Sequence, residues 1–251
     1  MFECGLPWDA RGLQSKIEES AVMKALSNMW RQVISLLMGT LLAGSALTAL
    51  GQATTAAPSP NRKTSTPYTG DLSIFDYPER EQKLHINRVM DLLNVAPGKS
   101  VADIGAGSGW FTVRAARRVT ATGRIYAVDI NPEAIAFIQE RVKKDGVASV
   151  ITILGTASDP KLPPVSVDSV LLLKTYHEIA KPVELMQNLR ASLRPGARVG
   201  IIDREGNGEN HGVAKKIVIA EVESAGYRLA EEHDDLVIDD KMDYFLIFTA
   251  P

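Results

Sequence analysis

From about residue 72 onward, short apolar runs alternate with segments whose apolar residues recur at helical spacing. Residues 100–104 read as a strand, and 108–119 as a helix carrying Phe111, Val113, Ala115 and Ala116 on one face. Thr122-Gly123 turns the chain into a second strand, 124–129. Asn131-Pro132-Glu133 then opens a helix: Asn as cap, Pro at the first position, an acid in the first turn. That helix runs to about residue 144 and stops at Asp145-Gly146. Strands follow at 150–154 and 167–173, the latter an apolar run of the kind a strand shows when both its faces are covered. The remaining pattern predicts a helix over 182–193, a strand over 198–203, a helix over 213–224, and final strands at 227–232 and 243–249. Ahead of the first strand, a helix is expected from Pro78 through Leu84, Val89, Leu92 and Leu93, ending before Pro97-Gly98. Alternation of this kind predicts an α/β fold, a mostly parallel sheet with helices on both faces.

The pattern before residue 72 is different. Residues 1–22 show none. From Met23 the chain reads as an export signal, with Lys24 and Arg31 ahead of an uncharged, largely apolar run over 33–50. Small residues follow in Ala49-Leu50-Gly51-Gln52-Ala53, where a signal peptidase could cut. The run is also close to the shortest membrane span, so a retained anchor is the alternative. Ser45 stands where a lipoprotein signal would need cysteine. The next basic residue after Arg31 is Arg62, so both readings place the downstream domain outside the cytoplasm. The expected organisation is an unassigned lead (1–22), a signal peptide or anchor (23–53), a disordered linker rich in Pro, Thr, Ser and Ala (54–71), and one folded domain (72–251).

Composition narrows the function little. The formal net charge of −2 argues against a general nucleic-acid binder. A single cysteine, Cys4, allows no disulfide framework and no cysteine-based zinc site within the chain. The four histidines, His85, His177, His211 and His233, have no metal-ligand spacing, and no metal is expected.

The chemistry concentrates after the first strand, in Asp103-Ile104-Gly105-Ala106-Gly107-Ser108-Gly109-Trp110. Glycine permits a sharp turn and a close ligand approach, and the following helix start favours a negatively charged ligand group. A dinucleotide fingerprint would need glycine at position 110, where Trp stands, and no Gly-Lys-Ser/Thr closes a phosphate loop. Asp129 ends the second strand 20 residues after Gly109, a usual spacing for a carboxylate on ribose hydroxyls. Ala157, Ser158 and Asp159 follow the third strand and are candidates for a base-binding wall. Lys174, a candidate cofactor contact, follows the fourth, and so do Tyr176, His177 and Glu178, where a substrate would meet a cofactor. His177 is a candidate general base, with Tyr176 beside it. Asp203, Arg204 and Glu205 end the fifth strand and are within reach of a substrate. The acidic stretch over 231–243 reads as a solvated turn.

The stretch from Asp103 to Gly109 resembles the first motif of the class I S-adenosylmethionine-dependent methyltransferases. Ala127-Val128-Asp129-Ile130 is similar to their second motif, 155–163 to their third region, Val167-Asp168-Ser169-Val170-Leu171-Leu172 to their fourth, and Leu193-Arg194-Pro195-Gly196-Ala197 to the loop before their fifth strand. The resemblance covers about 71–251. It implies a Rossmann-like, seven-stranded, mostly parallel sheet with the last strand antiparallel, and S-adenosyl-L-methionine as cofactor. It implies that Gly105, Ala106, Gly107, Ser108 and Gly109 lie along the methionine part. Asp103 would then face the ammonium group, Asp129 the ribose hydroxyls and Ile130 the adenine. One departure is Gly155-Thr156-Ala157, where many relatives have Gly-Asp-Ala, which shifts adenine recognition toward Asp159 or backbone groups. The implied activity is methyl transfer to a small-molecule acceptor by in-line displacement, with no nucleic-acid partner. A non-catalytic binder of the same ligand and a protein methyltransferase are the alternatives. Because the 204–212 loop is short, the lid is expected from 68–95, with Ile74, Phe75 and Tyr77 closing over the methyl group.

Overall fold

The computed structural model describes residues 62–251. Seven strands form one sheet: β1 (Ser100–Ile104), β2 (Arg124–Asp129), β3 (Val150–Leu154), β4 (Val167–Leu173), β5 (Leu193–Asp203), β6 (Arg228–Glu232) and β7 (Tyr244–Thr249). Their spatial order is β3-β2-β1-β4-β5-β7-β6. The neighbours from β3 to β5 pair in parallel, and β7 runs antiparallel to both β5 and β6. The helices are α1 (Arg80–Lys83), α2 (Ile86–Leu92), α3 (Trp110–Val119), α4 (Pro132–Asp145), α5 (Pro182–Arg190) and α6 (Lys215–Ser224). This is the Rossmann-like sheet expected, with its last strand antiparallel.

The strand alternation builds two cores, one on each face. On β1, Val101 joins one cluster, while Ala102 and Ile104 join the other. On β4, Leu171 and Leu173 face Val101's side, while Val170 and Leu172 face Ala102's. The chain leaves β1 toward β2 on one side and returns to β4 on the other. The carboxyl end of β1 is therefore the crevice where such sheets bind ligands.

Besides shifts of one residue, five element boundaries differ from the sequence pattern. The helix expected over 182–193 ends at Arg190, because Leu193 already belongs to a strand. The four others differ for local reasons. The helix expected from Pro78 to Leu93 is broken into α1 and α2 at His85, which takes φ +45°. Leu84 and Ile86 are both fully buried, and a continuous helix would set positions two apart on different faces. α3 starts at Trp110 rather than 108, because left-handed Gly109 turns the chain into it. β5 begins at Leu193, since Leu193 pairs with Val167 ahead of a register shift. α6 starts at Lys215, because the Val213 N–H is held by the Arg204 carbonyl at 2.9 Å.

The linker expectation is corrected for 62–70. The Arg62 guanidinium is buried, ion-pairs with Glu221 at 2.9 Å and donates to the carbonyls of Tyr176, His177 and Ile179. Ser65 is buried and hydrogen-bonds His177 and Gly208. Because Glu221 is also buried, removing its partner leaves an uncompensated charge. Arg62→Ala is expected to cost about 3–5 kcal/mol of stability, measured by urea unfolding; a change within about 1 kcal/mol would contradict the packing of this segment. The export or anchor segment over 23–53, with its apolar run at 33–50, lies outside the described residues. Among the described residues no helix is long and apolar enough to cross a membrane.

Candidate active site

A cavity of about 1100 Å³ opens at the carboxyl ends of β1, β2, β4 and β5. Its floor is the glycine loop. Gly105, Gly107 and Gly109 all take positive φ (+72°, +53° and +71°), which L side chains rarely adopt. The first two do different work. A Cβ at Gly105 would lie 2.2 Å from Thr175 Oγ1, so the loop packs there against the β4 end. At Gly107 a Cβ would have no neighbour nearer than Phe75, at 3.9 Å, so that position faces open cavity. The loop is pinned from below, because the Gly105 and Ala106 N–H groups both donate to the Val128 carbonyl. Gly109 is not part of the cavity wall; it turns the chain into α3 against Ile138. Ser108 lines the cavity, and its hydroxyl reaches Asp76 at 3.2 Å.

The two acids that flank this loop lie at the carboxyl ends of β1 and β2. Asp129 sits at the end of β2. One of its oxygens accepts from Gly107 N at 2.8 Å and the other from Asn131 N at 2.9 Å, which fixes the carboxylate at the cavity edge. Asp103 ends β1 and is 2% exposed, accepting from Thr112 Oγ1 at 2.6 Å. Burial pushes its carboxyl up to about 7; the Thr112 hydrogen bond opposes this, Asp129's charge adds to it, and Arg80 opposes it. Ile130, 47% exposed, presents an apolar face to the same cavity, with Thr156 and Ala157 opposite β2's end.

Other sequence candidates fall elsewhere. Ser158 and Asp159 lie outside the cavity wall: the Ser158 carbonyl accepts from Asn188 at 2.8 Å, and Asp159 accepts from Lys161 N in a local turn. Tyr176 is fully buried behind the wall, where burial holds its hydroxyl well above the usual tyrosine range, so it is corrected from catalytic candidate to core residue. Lys174 lines the cavity, but its ammonium ion-pairs with Asp240 at 2.6 Å. Burial lowers Lys174 to about 8 and raises Asp240 to about 7. The acidic 231–243 stretch is therefore more than a solvated turn: Asp240 is buried, and 239–242 line the cavity. Ile74 faces solvent, whereas Tyr68, Phe75 and Tyr77 do line the cavity, as does the 64–67 segment.

His177 is the best-positioned polar side chain of the far wall. It is 4% exposed, and its ring lies edge-on to that of His211 at 5.7 Å. Its Nδ1 lies 2.8 and 2.9 Å from the two oxygens of Asp203, which also accepts from the His177 backbone N–H. A carboxylate at Nδ1 selects the tautomer protonated there and leaves Nε2 with a lone pair. Nε2 is 3.8 Å from a Glu178 oxygen. Burial raises Glu178 to about 7.

Three further cavity residues are not among the sequence's site candidates. Arg80 lies over the Trp110 ring at 4.3 Å and donates to the Phe75 carbonyl at 2.6 Å, and its buried Nε has no partner among the described residues. Burial lowers its guanidinium to about 10. His211 and Asp240 come from loops whose course no periodicity encodes. The only hint for His211 was its place in a Gly- and Asn-rich loop after the fifth strand.

A buried acid, a left-handed glycine loop and a carboxylate at the next strand's end thus meet at one cavity of this α/β domain. Residues 101–196 match the family model described as "Methyltransferase domain". The chain is 29% identical over 111 residues to the protein-L-isoaspartate O-methyltransferase of Pyrococcus horikoshii, a match covering 44% of this chain and 47% of that protein. It is 31% identical over 124 residues to a methyltransferase of Mycobacterium tuberculosis, covering 49% and 47%. A S-adenosylmethionine-dependent methyltransferase structure from Aquifex aeolicus superposes with a TM-score of 0.62 at 22% identity, covering 70% of this chain and 94% of that one, which shows the shared fold. The chain spans about half the length, or less, of the curated relatives it matches. Residues 101–196 therefore carry a methyltransferase domain, on a fold shared with S-adenosylmethionine-dependent methyltransferases.

The residues present fit that cofactor. The cavity is at the upper end of the range for small-molecule sites, leaving room for an acceptor beside the cofactor. Its polar groups also match an amino acid's two charges, an acid at Asp103 and the unpartnered Nε of Arg80. An ammonium beside Asp103 favours the ionised carboxylate. Cofactor affinity is therefore expected to rise about tenfold per pH unit up to pH ~7, with a proton released on binding at pH ~6. It should fall again above pH ~8 as an α-amino group loses its own proton. Calorimetry in buffers of different ionisation enthalpy checks this; affinity independent of pH between about 5.5 and 7 would remove Asp103 from the ammonium site.

Proposed function

We propose that this protein transfers a methyl group from S-adenosylmethionine to a small-molecule acceptor bearing a protic oxygen or nitrogen. The observation that carries the reading is the His177–Asp203 pair, which places an imidazole lone pair on the same cavity as the glycine loop. Bound S-adenosylmethionine supplies an electrophilic methyl carbon: the acceptor's lone pair bonds to it as the carbon–sulfur bond breaks, and that bond's electrons stay on sulfur.

The chain's own residues position and shield. Asp129 holds the ribose hydroxyls and Ile130 the adenine face. Asp103 and Arg80 hold the amino-acid end. His177 accepts the acceptor's proton at Nε2, and Asp203 holds the ring in the tautomer that can do so. Tyr68, Phe75, Tyr77 and Met242 exclude water. Alignment of this kind contributes about 7–11 kcal/mol to such reactions.

A cavity covered by 64–69 and by 239–242 favours a small acceptor over a protein side chain. The relative named for protein L-isoaspartate keeps the second class worth including in the assay. Purified full-length protein, incubated with methyl-labelled cofactor and a panel of metabolites and peptides, is expected to label a metabolite. Labelling of peptides alone would overturn the small-molecule part of the proposal, and cofactor binding without any transfer would make the protein a binder. We further propose that the domain works outside the cytoplasm, delivered by residues 23–53. Fractionation with protease accessibility tests this, and a full-length soluble cytoplasmic protein would contradict it.

A further inference from the structure

We propose that His177, Glu178 and His211 form a binding site for one divalent first-row transition metal ion at the acceptor end of the cavity. One ligand atom from each residue lies within 4.8 Å of the other two. Within the trio, His177 Nε2 and Glu178 Oε1 are 3.8 Å apart. Ligand atoms around a tetrahedral ion with ~2.1 Å bonds stand about 3.4 Å apart, so small side-chain rotations close the site.

A second, independent observation is the partner of His177. A metal-bound imidazole nearly always donates its other N–H to a carboxylate or carbonyl, which fixes the ring and raises its basicity. Asp203, itself fully buried, does this at Nδ1 from 2.8 Å. The two histidine segments are also fastened to each other. Ser65 donates its N–H to the His177 carbonyl at 3.2 Å, and its hydroxyl accepts from His211 N at 2.9 Å. The ligand spacing is thus set by the fold rather than by chance approach of mobile side chains.

Two imidazoles and one carboxylate suit zinc, manganese, iron or cobalt better than magnesium or calcium, which prefer oxygen. Three protein ligands leave positions open toward the cavity, as in metal sites that bind a substrate. An acceptor hydroxyl or a pair of neighbouring oxygens would take those positions. In the metal-free protein His177 Nε2 accepts the hydroxyl's proton. With the ion bound, Nε2 is a ligand and no longer a base; the metal takes over that task by lowering the hydroxyl's pKa, and the proton would pass to solvent. This role for the ion rests on the methyl-transfer reading; the metal site itself rests on the ligand geometry alone.

The test uses the full chain, stripped with EDTA and titrated with Co²⁺ while visible absorption is followed. The expected result is one Co²⁺ per chain with the intense bands of a four- or five-coordinate ion, displaced by Zn²⁺ and not by equimolar Mg²⁺. His211→Asn, chosen because asparagine tolerates the φ of +57° at this position, is expected to weaken binding about 100-fold or more. Asp203→Asn is expected to weaken it about 10–100-fold. His85→Ala and His233→Ala should bind as the parent does. An octahedral, water-like Co²⁺ spectrum, or parental affinity in His211→Asn, overturns the site. S-adenosylhomocysteine titrated in EDTA separates the two readings. Binding there without Co²⁺ binding ends the metal site alone, whereas Co²⁺ binding without it ends the methyl-transfer reading alone.

Discussion

Gly107→Ala is expected to give a folded protein that no longer binds S-adenosylmethionine. The left-handed backbone at this position costs an L residue about 1–2 kcal/mol, and the nearest atom to the new methyl would be in Phe75 at 3.9 Å. Among the described residues, therefore, only φ resists the substitution. The methyl would instead stand in the cavity, where the cofactor's backbone-close part must lie. Affinity is expected to fall about 100-fold or more, equivalent to ~3 kcal/mol or more, while the melting temperature drops by only a few degrees. Gly105→Ala should behave in the opposite order, losing stability first, because its Cβ meets Thr175 Oγ1 at 2.2 Å. Thermal unfolding and calorimetry on the two variants side by side check the contrast. Unchanged affinity in Gly107→Ala would mean that the loop is a structural turn and not a cradle.

The second large effect is expected at Asp203. Asparagine there keeps the size but presents either a carbonyl or an amide to His177 Nδ1, so the favoured tautomer is no longer enforced. If His177 accepts the acceptor's proton, kcat should fall by about 10²–10⁴, while the affinity for S-adenosylhomocysteine stays close to the parent's. His177→Gln should fall as far, and the double variant little further, since the two act as a unit. The measurement is turnover with the acceptor identified from the metabolite panel. A parental kcat in Asp203→Asn would show that the pair does not supply the base.

Legibility in the sequence divides along physical lines. Strands with both faces covered announce themselves as apolar runs, and the cofactor cradle is local in sequence. Hence β1, β2 and β4, Asp103, the glycines and Asp129 are readable from the amino-acid order alone, and β3 reads as an apolar run although it is a half-exposed edge strand. The far wall is assembled from chain segments more than a hundred residues apart. Arg62 and Ser65 pack on 176–179 and on the loop carrying His211, and composition alone makes their segment look like a linker. Its order comes from a buried ion pair with Glu221, a tertiary contact that no periodicity encodes. Tyr176 and His177 show the same limit at single-residue scale. A short 3₁₀ turn, Tyr176–Glu178, points one of the two neighbours into the core and sets the other on the cavity wall. The metal-like grouping is hidden for the same reason, since His177 and His211 meet only through the fold.

The most direct measurement is a calorimetric titration of the full-length protein with S-adenosylhomocysteine and, separately, with NAD. S-adenosylhomocysteine is expected to bind one to one and to lose most of its affinity in Asp129→Ala, and NAD to give no heat. Binding of NAD with no response to S-adenosylhomocysteine would contradict the assignment of this cavity to an adenosyl amino acid.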